Sequence, residues 1–298
     1  MPTATPKTLY LIDGYAQFFR AYHAIRTPMT SPVTKEPTNL TFGFVGMLLK
    51  LLRGEEPNLG GKPDYVAVAL DVSGDRGTFR TQLYPEYKAT RPPPPEDLKP
   101  QVDRCLDLLR AIGVPVIGVE GFEADDVIAA LVEKFKTSDP GLRVRIISKD
   151  KDFKQLLRDA GDGAASVEMY DIHKDEVIDV AALMDDLGLR PDQIVDMLTL
   201  MGDTSDNVPG VEGVGAKTAA KLLVEFGTLD ALMARADEIK GKRGERLREA
   251  ADRLELSRTL VTLRRDVDVR LDLDAASAAR FDLPALMPIL KELGFNRY

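Results

Sequence analysis

Short apolar runs alternate with longer amphipathic segments over the first two-thirds of the chain. Runs rich in Val and Ile predict buried strands at residues 8–12, 65–70, 114–119 and 144–147, with a weaker one at 167–170. Helical spacing of apolar positions predicts helices over residues 40–52, 98–111, 124–136 and 153–157. This alternation predicts an α/β fold with a parallel sheet covered on both faces.

The strand pattern stops near residue 187, and the rest of the chain is mostly helical and strongly charged. Helices are predicted over residues 191–201 and 216–226, and the glycine-rich loop GDTSDNVPGVEGVG at residues 202–215 joins them. We therefore predict an α/β core over residues 1–186 and a helical region over residues 187–298.

Residues 71–100 contain no convincing strand. Basic side chains alternate there with aromatic ones, and four prolines follow at 92–95: the basic residues are Arg76, Arg80, Lys88 and Arg91, and the aromatic ones are Phe79, Tyr84 and Tyr87. A long stretch with little core character is more often functional than accidental. A solvated surface excursion explains it equally well.

Composition excludes several classes of protein. Of the 298 residues, 44% are hydrophobic and 30% are charged, which is typical of a soluble globular protein. The sequence has no apolar run long enough to span a membrane and no secretory signal pattern. The single cysteine, Cys105, excludes an internal disulfide, and the two histidines argue against zinc. An intracellular, reducing setting is therefore expected.

Acidic residues fall where predicted strands end and where one predicted helix begins. Because the carboxyl ends of parallel strands share one crevice, residues far apart in sequence could converge there. The candidates are Asp13, Asp71, Asp150 and Asp152 after strands, Glu123, Asp125 and Asp126 at a helix start, and Asp203 and Asp206 in the glycine-rich loop.

Each acid alone has a simpler explanation, as a helix cap, a turn residue or a loop residue. Together they would repel one another, and a bound cation would remove that repulsion. Oxygen ligands without His or Cys favour Mg²⁺ or Mn²⁺. Two such ions can hydrolyse a phosphodiester bond by activating water and stabilising the developing charge.

The glycine-rich loop has the composition of a phosphate-binding segment. Gly213 and Gly215 precede a predicted helix, and Lys217 and Lys221 lie one turn apart on it. Free N–H groups at a helix N-terminus bind phosphate without reading sequence. The net charge of −8 argues against a nucleic-acid partner, but two bound divalent ions would halve it.

Long motifs in a fixed order resemble the bacterial 5′→3′ exonuclease family. These are LIDG with FRAYHA, GTFR followed by YPEYKATRPPPPEDL, EADDVIA, SKDKDFKQL and LMGDTSDNVPGVEGVGAKTA. The family comprises the 5′ nuclease domain of DNA polymerase I and stand-alone relatives, and is kin to flap endonucleases. The resemblance runs from about residue 9 to residue 295. One difference lies at Ser148-Lys-Asp150, because many relatives carry a glycine before the aspartate.

The resemblance implies a twisted, mainly parallel PIN-like sheet, a helical arch at about residues 76–110 and a helix-three-turn-helix motif at about 191–226. It implies two metal sites. The first is built by Asp13, Asp71, Glu123, Asp125 and Asp126, and the second by Asp150, Asp152, Asp203 and Asp206.

The resemblance also implies roles in DNA binding. Four basic residues would contact the scissile phosphate region or steer the 5′ strand: Arg20, Arg80, Lys88 and Arg91. Tyr22, Tyr84 and Tyr87 would stack on unpaired bases, although packing is an equal alternative. The duplex would be held by Gly213, Gly215, Lys217, Thr218 and Lys221, with K⁺ bound by carbonyl groups of the loop.

The predicted function is a structure-specific 5′ nuclease that removes primers and flaps during replication and repair. Its expected partner is DNA with 5′ ends, flaps or nicks, and it would act as a monomer in the bacterial cytoplasm, at the nucleoid. The alternatives are a non-catalytic DNA-binding protein, a PIN-type ribonuclease and a phosphorelay receiver. The sequence fits a stand-alone enzyme and a polymerase domain equally well.

Overall fold

The computed structural model describes residues 5–161 and 164–298. Its strands are β1 (Thr8–Asp13), β2 (Tyr65–Ala69), β3 (Val116–Ile117), β4 (Arg143–Ile147), β5 (Ser166–Asp171) and β6 (Glu176–Ile178). Within the described residues they form one sheet in the order β3-β2-β1-β4-β5-β6. Neighbouring strands from β3 to β5 are parallel, and β6 pairs antiparallel with β5. The predicted α/β fold with a mainly parallel sheet is confirmed.

Helices accompany the sheet and then make up most of the C-terminal third. Those in the first part are α1 (Gly14–Ala24), α2 (Asn39–Arg53), α3 (Phe79–Leu83), α4 (Leu98–Ile112), α5 (Ala124–Ser138) and α6 (Val180–Leu187). Those that follow are α7 (Ile194–Met201), α8 (Ala216–Phe226), α9 (Leu229–Ala234), α10 (Lys242–Ala250), α11 (Leu254–Val261) and α12 (Leu286–Leu293). No helix in the described ranges combines the length and apolar character needed to cross a membrane.

Several elements differ from the sequence predictions. The strand predicted over residues 114–119 pairs only at Val116–Ile117, next to Pro115, which has no N–H to donate. The helix predicted over residues 153–157 is a 3₁₀-helix, Lys151–Leu156. We did not predict α1, which begins at Gly14 directly after a strand, or β6, which has only three residues.

Alternating side chains of β1 build two hydrophobic clusters on opposite faces of the sheet. Leu9 and Leu11 pack on the face covered by α5, whereas Tyr10 and Ile12 pack on the face covered by α1, α2 and α4. Burying one such side chain contributes about 1.5–3 kcal/mol. The two clusters fix β1 from both sides and therefore fix the strand end that carries Asp13.

The C-terminal helices share these cores. Leu198 of α7, Leu223 of α8 and Leu260 of α11 belong to the same buried cluster as Leu11, while Leu290 of α12 belongs to the cluster on the opposite face. The helical region therefore shares continuous hydrophobic cores with the sheet that ends at the acidic residues.

Gly14 allows α1 to start close to β2. A Cβ atom on Gly14 would lie 2.8 Å from the carbonyl oxygen of Ala69. We expect Gly14→Ala to lower the free energy of unfolding by about 1–3 kcal/mol because α1 must move. Urea unfolding measures this change. At Gly141 an added Cβ would meet no atom within 4 Å, so Gly141→Ala should change stability by less than about 1 kcal/mol. Equal stability of the two variants would contradict the prediction.

Candidate active site

Three acidic residues come together at the carboxyl ends of β1, β2 and β4. Asp13 is the last residue of β1, and Asp71 and Asp150 lie in the loops that follow β2 and β4. Since β1 lies between β2 and β4, these loops are neighbours. The hydroxyl of Ser148 donates to Asp13 at 3.3 Å and accepts the N–H of Asp150 at 3.1 Å. Ser148 thus connects two of the acids.

The first turn of α5 adds further acids to this edge. Glu123 is the N-cap residue of α5 and forms a capping box with Asp126. The N–H of Ala124 donates to Asp71 at 2.8 Å, which holds the start of the helix against the loop after β2. The positive end of the helix dipole therefore faces the carboxylates and stabilises their charge.

The acids line one crevice, a cavity of about 220 Å³. Carboxylate oxygens of Asp125, Asp150 and Asp152 lie within 4.8 Å of one another. The seven acids that line the crevice are Asp13, Asp71, Glu123, Asp125, Asp150, Asp152 and Asp206. Asp126 and Asp203 do not line it, although Asp203 lies in the same loop as Asp206.

Burial and mutual repulsion raise the pKa values of the crevice acids. Burial, then the charges of Asp150 and Asp71, raise the pKa of Asp13 to about 8. Burial and Asp150 raise the pKa of Asp152 to about 8 in the same way. The pKa of Asp125 is also raised well above its usual value, by burial and by Asp13 and Asp150. A cation bound among these groups would reverse the shifts.

This donor set fits a hard divalent cation. Among the described residues that line the crevice, the acidic side chains offer only oxygen, and neither histidine is present. Carboxylate oxygens suit Mg²⁺ or Mn²⁺ rather than zinc. The carboxylate oxygens of Asp125, Asp150 and Asp152 are close enough together to repel one another strongly without such a charge.

Three basic side chains contact the acids of this region. Lys88 donates to Glu123, and Arg91 donates to Asp206. Lys151 donates to Asp203 at 2.8 Å. Burial alone would raise the pKa of Glu123, but Lys88 and Arg80 beside it hold that pKa below its usual range. We did not predict Lys151, although its position between Asp150 and Asp152 was a signal for it.

The structure places two predicted residues differently from the prediction. Arg80, which we expected to contact a phosphate, has a side chain that is only 1% exposed and bound to protein acceptors. Asp126, which we expected to be a metal ligand, is fully buried beside Arg80. Arg80 borders the crevice, but all its N–H groups are bound by protein acceptors, and Asp126 is enclosed by protein, so neither is free for its expected contact in this conformation.

The predicted aromatic residues and Arg20 have separate surroundings. Tyr87 is 4% exposed, and its hydroxyl contacts Glu123, so it has no open face for a base. The hydroxyl of Tyr22 donates to Asp97 at 2.7 Å. Tyr84 is half-buried and lines a cavity beside the glycine-rich loop. Arg20 is half-buried on α1 and lies near His173, outside the crevice lining.

The glycine-rich loop joins α7 to α8 beside the crevice. With residues such as Tyr84 it lines a cavity of about 510 Å³. Gly213 has a φ of +78°, and Gly215 is the N-cap residue of α8. Thr218 is half-buried on the first turn of α8, and Lys217 and Lys221 are exposed there. The loop also touches residues 86–88: the N–H of Lys88 donates to the carbonyl of Asp206 at 2.8 Å.

The sequence matches two family models that meet within the chain. Residues 8–188 match the 5′-3′ exonuclease N-terminal resolvase-like domain, and residues 189–283 match the 5′-3′ exonuclease C-terminal SAM fold. The chain belongs to the 5′-3′ exonuclease family. The predicted class of enzyme, a 5′ nuclease, is therefore confirmed at the level of the family.

Curated members of the family include long and short proteins. The chain is 42% identical over 290 residues to DNA polymerase I of Rhizobium leguminosarum, covering 97% of this chain and 28% of the polymerase. It thus spans little more than a quarter of that relative's length. It is 36% identical over 287 residues to a 5′-3′ exonuclease of Aquifex aeolicus, covering 96% of this chain and 92% of that protein.

Solved structures share the fold. T5 5′-exonuclease with bound zinc superimposes with a TM-score of 0.67 at 23% identity, covering 96% of this chain and 98% of that one. The catalytic core of Rad2 in complex with DNA substrate gives a TM-score of 0.57 at 16% identity, covering 98% and 90%. At these sequence identities, the likeness shows that this chain shares the fold of those two proteins.

The raised carboxyl pKa values predict how metal-free stability depends on pH. Asp13 and Asp152 titrate near pH 8 when folded and near pH 4 when unfolded. The folded state therefore holds protons that the unfolded state has released, and the free energy of unfolding falls as pH rises through that window. Thermal melts with and without Mg²⁺ should show a larger stabilisation by Mg²⁺ at pH 8 than at pH 6. We expect Asp13→Asn to raise the metal-free Tm at pH 8 and to weaken this effect of Mg²⁺.

Asp252 is exposed on the C-terminal region, and Asp252→Asn is the matched control for removing one negative charge. Its metal-free Tm should follow the wild-type pH profile. A wild-type Tm that does not fall between pH 5 and pH 8 would contradict the raised pKa values.

Proposed function

We propose that the protein is a structure-specific 5′ nuclease that hydrolyses phosphodiester bonds at 5′ ends, nicks and flaps of DNA, including RNA-primed ends. The observation that carries this proposal is the crevice itself, in which seven acids converge beside Lys88 and Arg91. Residues 1–186 form the nuclease core in this proposal. Residues 187–298 hold the duplex, through a helix-three-turn-helix motif at about residues 191–226.

Two divalent ions, Mg²⁺ or Mn²⁺, fit the proposed reaction. Asp13, Asp71, Glu123 and Asp125 would hold one ion, and Asp150, Asp152 and Asp206 would hold the other. Asp203, which binds Lys151 outside the crevice lining, would support the second site through the loop that it shares with Asp206. When bound, such ions supply an activated water molecule and positive charge for the reacting phosphate.

Residues around the crevice would orient the substrate. Lys88 and Arg91 already lie against acidic side chains at the rim, so a cation in the crevice would release them to hold the scissile phosphate. Arg20 would take part in the same contact with the phosphate region. The proposed arch comprises about residues 76–110. Tyr84 is the aromatic residue best placed to contact an unpaired base, since it is half-buried beside the loop.

The loop and the start of α8 would hold the duplex backbone. Exposed Lys217 and Lys221 would contact phosphates, and Gly213 and Gly215 would let the strand approach the backbone. K⁺ held by loop carbonyls would add positive charge at the same place. Nothing in this contact reads bases, which suits an enzyme that recognises DNA shape.

The relatives suggest where such an enzyme acts. Several are bacterial DNA polymerases I that match over nearly all of this chain. We therefore place the activity, as a monomer, in primer and flap removal during replication and repair, in the cytoplasm at the bacterial nucleoid. Polymerase activity lies outside this proposal because the chain covers only 28% of the Rhizobium leguminosarum polymerase.

A 5′-labelled flap, a matched single strand and a matched duplex, each with and without Mg²⁺, test the proposal. We expect metal-dependent cleavage near the flap junction. Asp125→Asn and Asp150→Asn should each reduce cleavage by more than about 100-fold, since loss of a ligand costs more than loss of its supporting contacts. Binding of the flap should be retained. Asp171 ends the neighbouring strand β5 but does not line the crevice, so Asp171→Asn is the control and should still cut.

Binding without cleavage by the wild-type protein, in both Mg²⁺ and Mn²⁺, would instead identify a non-catalytic DNA-binding protein. Cleavage of single-stranded RNA in preference to the flap would identify a ribonuclease.

The salt dependence of DNA binding tests the role of the loop. Each phosphate contact contributes about 0.9 to the slope of log affinity against log salt. The double variant Lys217→Ala/Lys221→Ala should therefore lower that slope by about 2 and weaken binding equally for unrelated sequences. Lys136 is exposed at the far end of α5, so Lys136→Ala should leave the slope unchanged. Titrations by fluorescence anisotropy at several salt concentrations measure it.

A further inference from the structure

The guanidinium of Arg80 uses every hydrogen-bond donor it has on protein atoms. Its Nε donates to the carbonyl of Leu260 at 2.7 Å, and one terminal nitrogen donates to Thr262 at 2.9 Å. That nitrogen, Nη2, also donates to Asp126 at 2.8 Å. The other terminal nitrogen, Nη1, donates to Asp126 at 2.7 Å and to Glu123. Arg80 has five N–H groups, and five acceptors surround it. A phosphate could bind Arg80 only by displacing one of them.

The carboxylate of Asp126 also has all its acceptor positions engaged in hydrogen bonds. It accepts both bonds from Arg80, and it also accepts the N–H groups of Glu123 at 3.1 Å and Arg264 at 2.9 Å. Four donors account for the four lone-pair positions of a carboxylate. Its side chain is fully buried and does not line the crevice. These contacts leave no oxygen of Asp126 available to a metal ion.

The Arg80–Asp126 pair joins three segments that are distant in sequence. Arg80 lies on α3, at the base of the proposed arch, and Asp126 lies in the first turn of α5, between Glu123 and the rest of the helix. Apart from Glu123, their partners belong to residues 260–264, at the end of α11 and just after it. The turn that carries Glu123 and Asp125 is thereby fixed to the C-terminal helical region.

The same part of the C-terminal region holds the glycine-rich loop. Ser257 of α11 donates to the carbonyl of Pro209, and Arg253 donates to the carbonyl of Gly210 at 3.1 Å. Contacts therefore run without interruption from the loop, through α11, to Arg80 and on to the acids of α5. These contacts connect the segment proposed to hold the duplex with the crevice proposed to cut it.

We propose that Arg80 and Asp126 are positioning residues that set the distance between the loop and the acidic crevice, and so select the phosphodiester bond that is cut. The inference rests on the proposed nuclease function, and it replaces the sequence-based roles of Arg80 as a phosphate contact and Asp126 as a metal ligand. A planar fork that binds a carboxylate at two points fixes orientation as well as distance. Lysine cannot reproduce that geometry.

Arg80→Lys and Asp126→Asn test the proposal, with Glu168→Gln as matched control. Glu168 is a buried carboxylate on β5 that binds Arg145 at 2.7 Å and also contacts Arg143, and it does not line the crevice. Glu168→Gln removes the negative charge and so breaks a buried ion pair of the same kind elsewhere in the sheet. The Tm of all three variants gives the scale of general destabilisation, and Arg80→Lys keeps the charge should Asp126→Asn fold poorly.

Three measurements separate positioning from the other roles. On a 5′-labelled flap, Arg80→Lys and Asp126→Asn should spread cleavage over neighbouring bonds and lower kcat at least tenfold, while the Kd for the flap stays within threefold. Mn²⁺ affinity of Asp126→Asn, measured by calorimetry without DNA, should also stay within threefold of wild type. Amide hydrogen exchange should accelerate both in the first turn of α5 and at residues 260–264. Glu168→Gln should retain the wild-type cut site and protection of both segments.

Two results would overturn the proposal. A loss of Mn²⁺ affinity in Asp126→Asn as large as that in Asp125→Asn would make Asp126 a ligand. An unchanged cut site with no exchange difference from Glu168→Gln would make the pair merely structural. If the wild-type protein does not cut the flap, the proposed function fails. The exchange and Mn²⁺ measurements still decide then whether Asp126 links the two segments or binds metal.

Discussion

Electrostatic repulsion among carboxylates that the fold forces together is the constraint on which this structure depends. Asp125, Asp150 and Asp152 have oxygens within 4.8 Å of one another in a partly enclosed crevice. Like charges at such a distance in a poorly solvated site cannot all be ionised without a counter-charge. Hydrophobic packing of β1 on both faces, at Leu11 and Ile12, supplies the free energy that holds these groups in place.

Counter-charges are distributed at two depths. Arg80 is buried and all its N–H groups are bound by protein acceptors, so it neutralises Asp126 and part of Glu123. Lys88 lies largely buried against Glu123, with 11% of its side chain exposed, whereas Arg91 reaches Asp206 from the rim and remains more than one-third exposed. A buried ion pair that loses one partner is strongly destabilised, whereas a rim pair can exchange its partner at low cost. The deep pair thus suits a fixed scaffold, and the Arg91–Asp206 pair at the rim suits a contact that changes when a substrate binds.

Sequence patterns predicted the strands and the acids at their ends, which depend on neighbouring residues. They did not predict contacts between residues that are far apart in the chain. Val and Ile runs located the strands, and their ends located Asp13, Asp71 and Asp150, because strand ends of a parallel sheet must share an edge. The pattern could not show that Arg80 binds the carbonyls of residues 260 and 262, about 180 positions along the chain. A basic residue between aromatic ones has the same sequence signature whether it faces DNA or is buried. Only the packing of α11 against the core shows that Arg80 is buried and does not face DNA.

The distribution of charge reconciles an acidic protein with a polyanionic partner. The net charge is −8, and nine acids are gathered in the predicted clusters, where Arg80, Lys88, Arg91 and Lys151 bind some of them, so much of the negative charge is confined to one part of the molecule. At physiological salt, charges are screened beyond about 8 Å. DNA held at Lys217 and Lys221 therefore responds to the local positive charge of α8 rather than to the whole chain. The acids would repel DNA only inside the crevice, where bound cations would convert that repulsion into attraction for one phosphate. On this argument the protein should hold DNA weakly at the crevice without divalent ions, while the loop continues to bind.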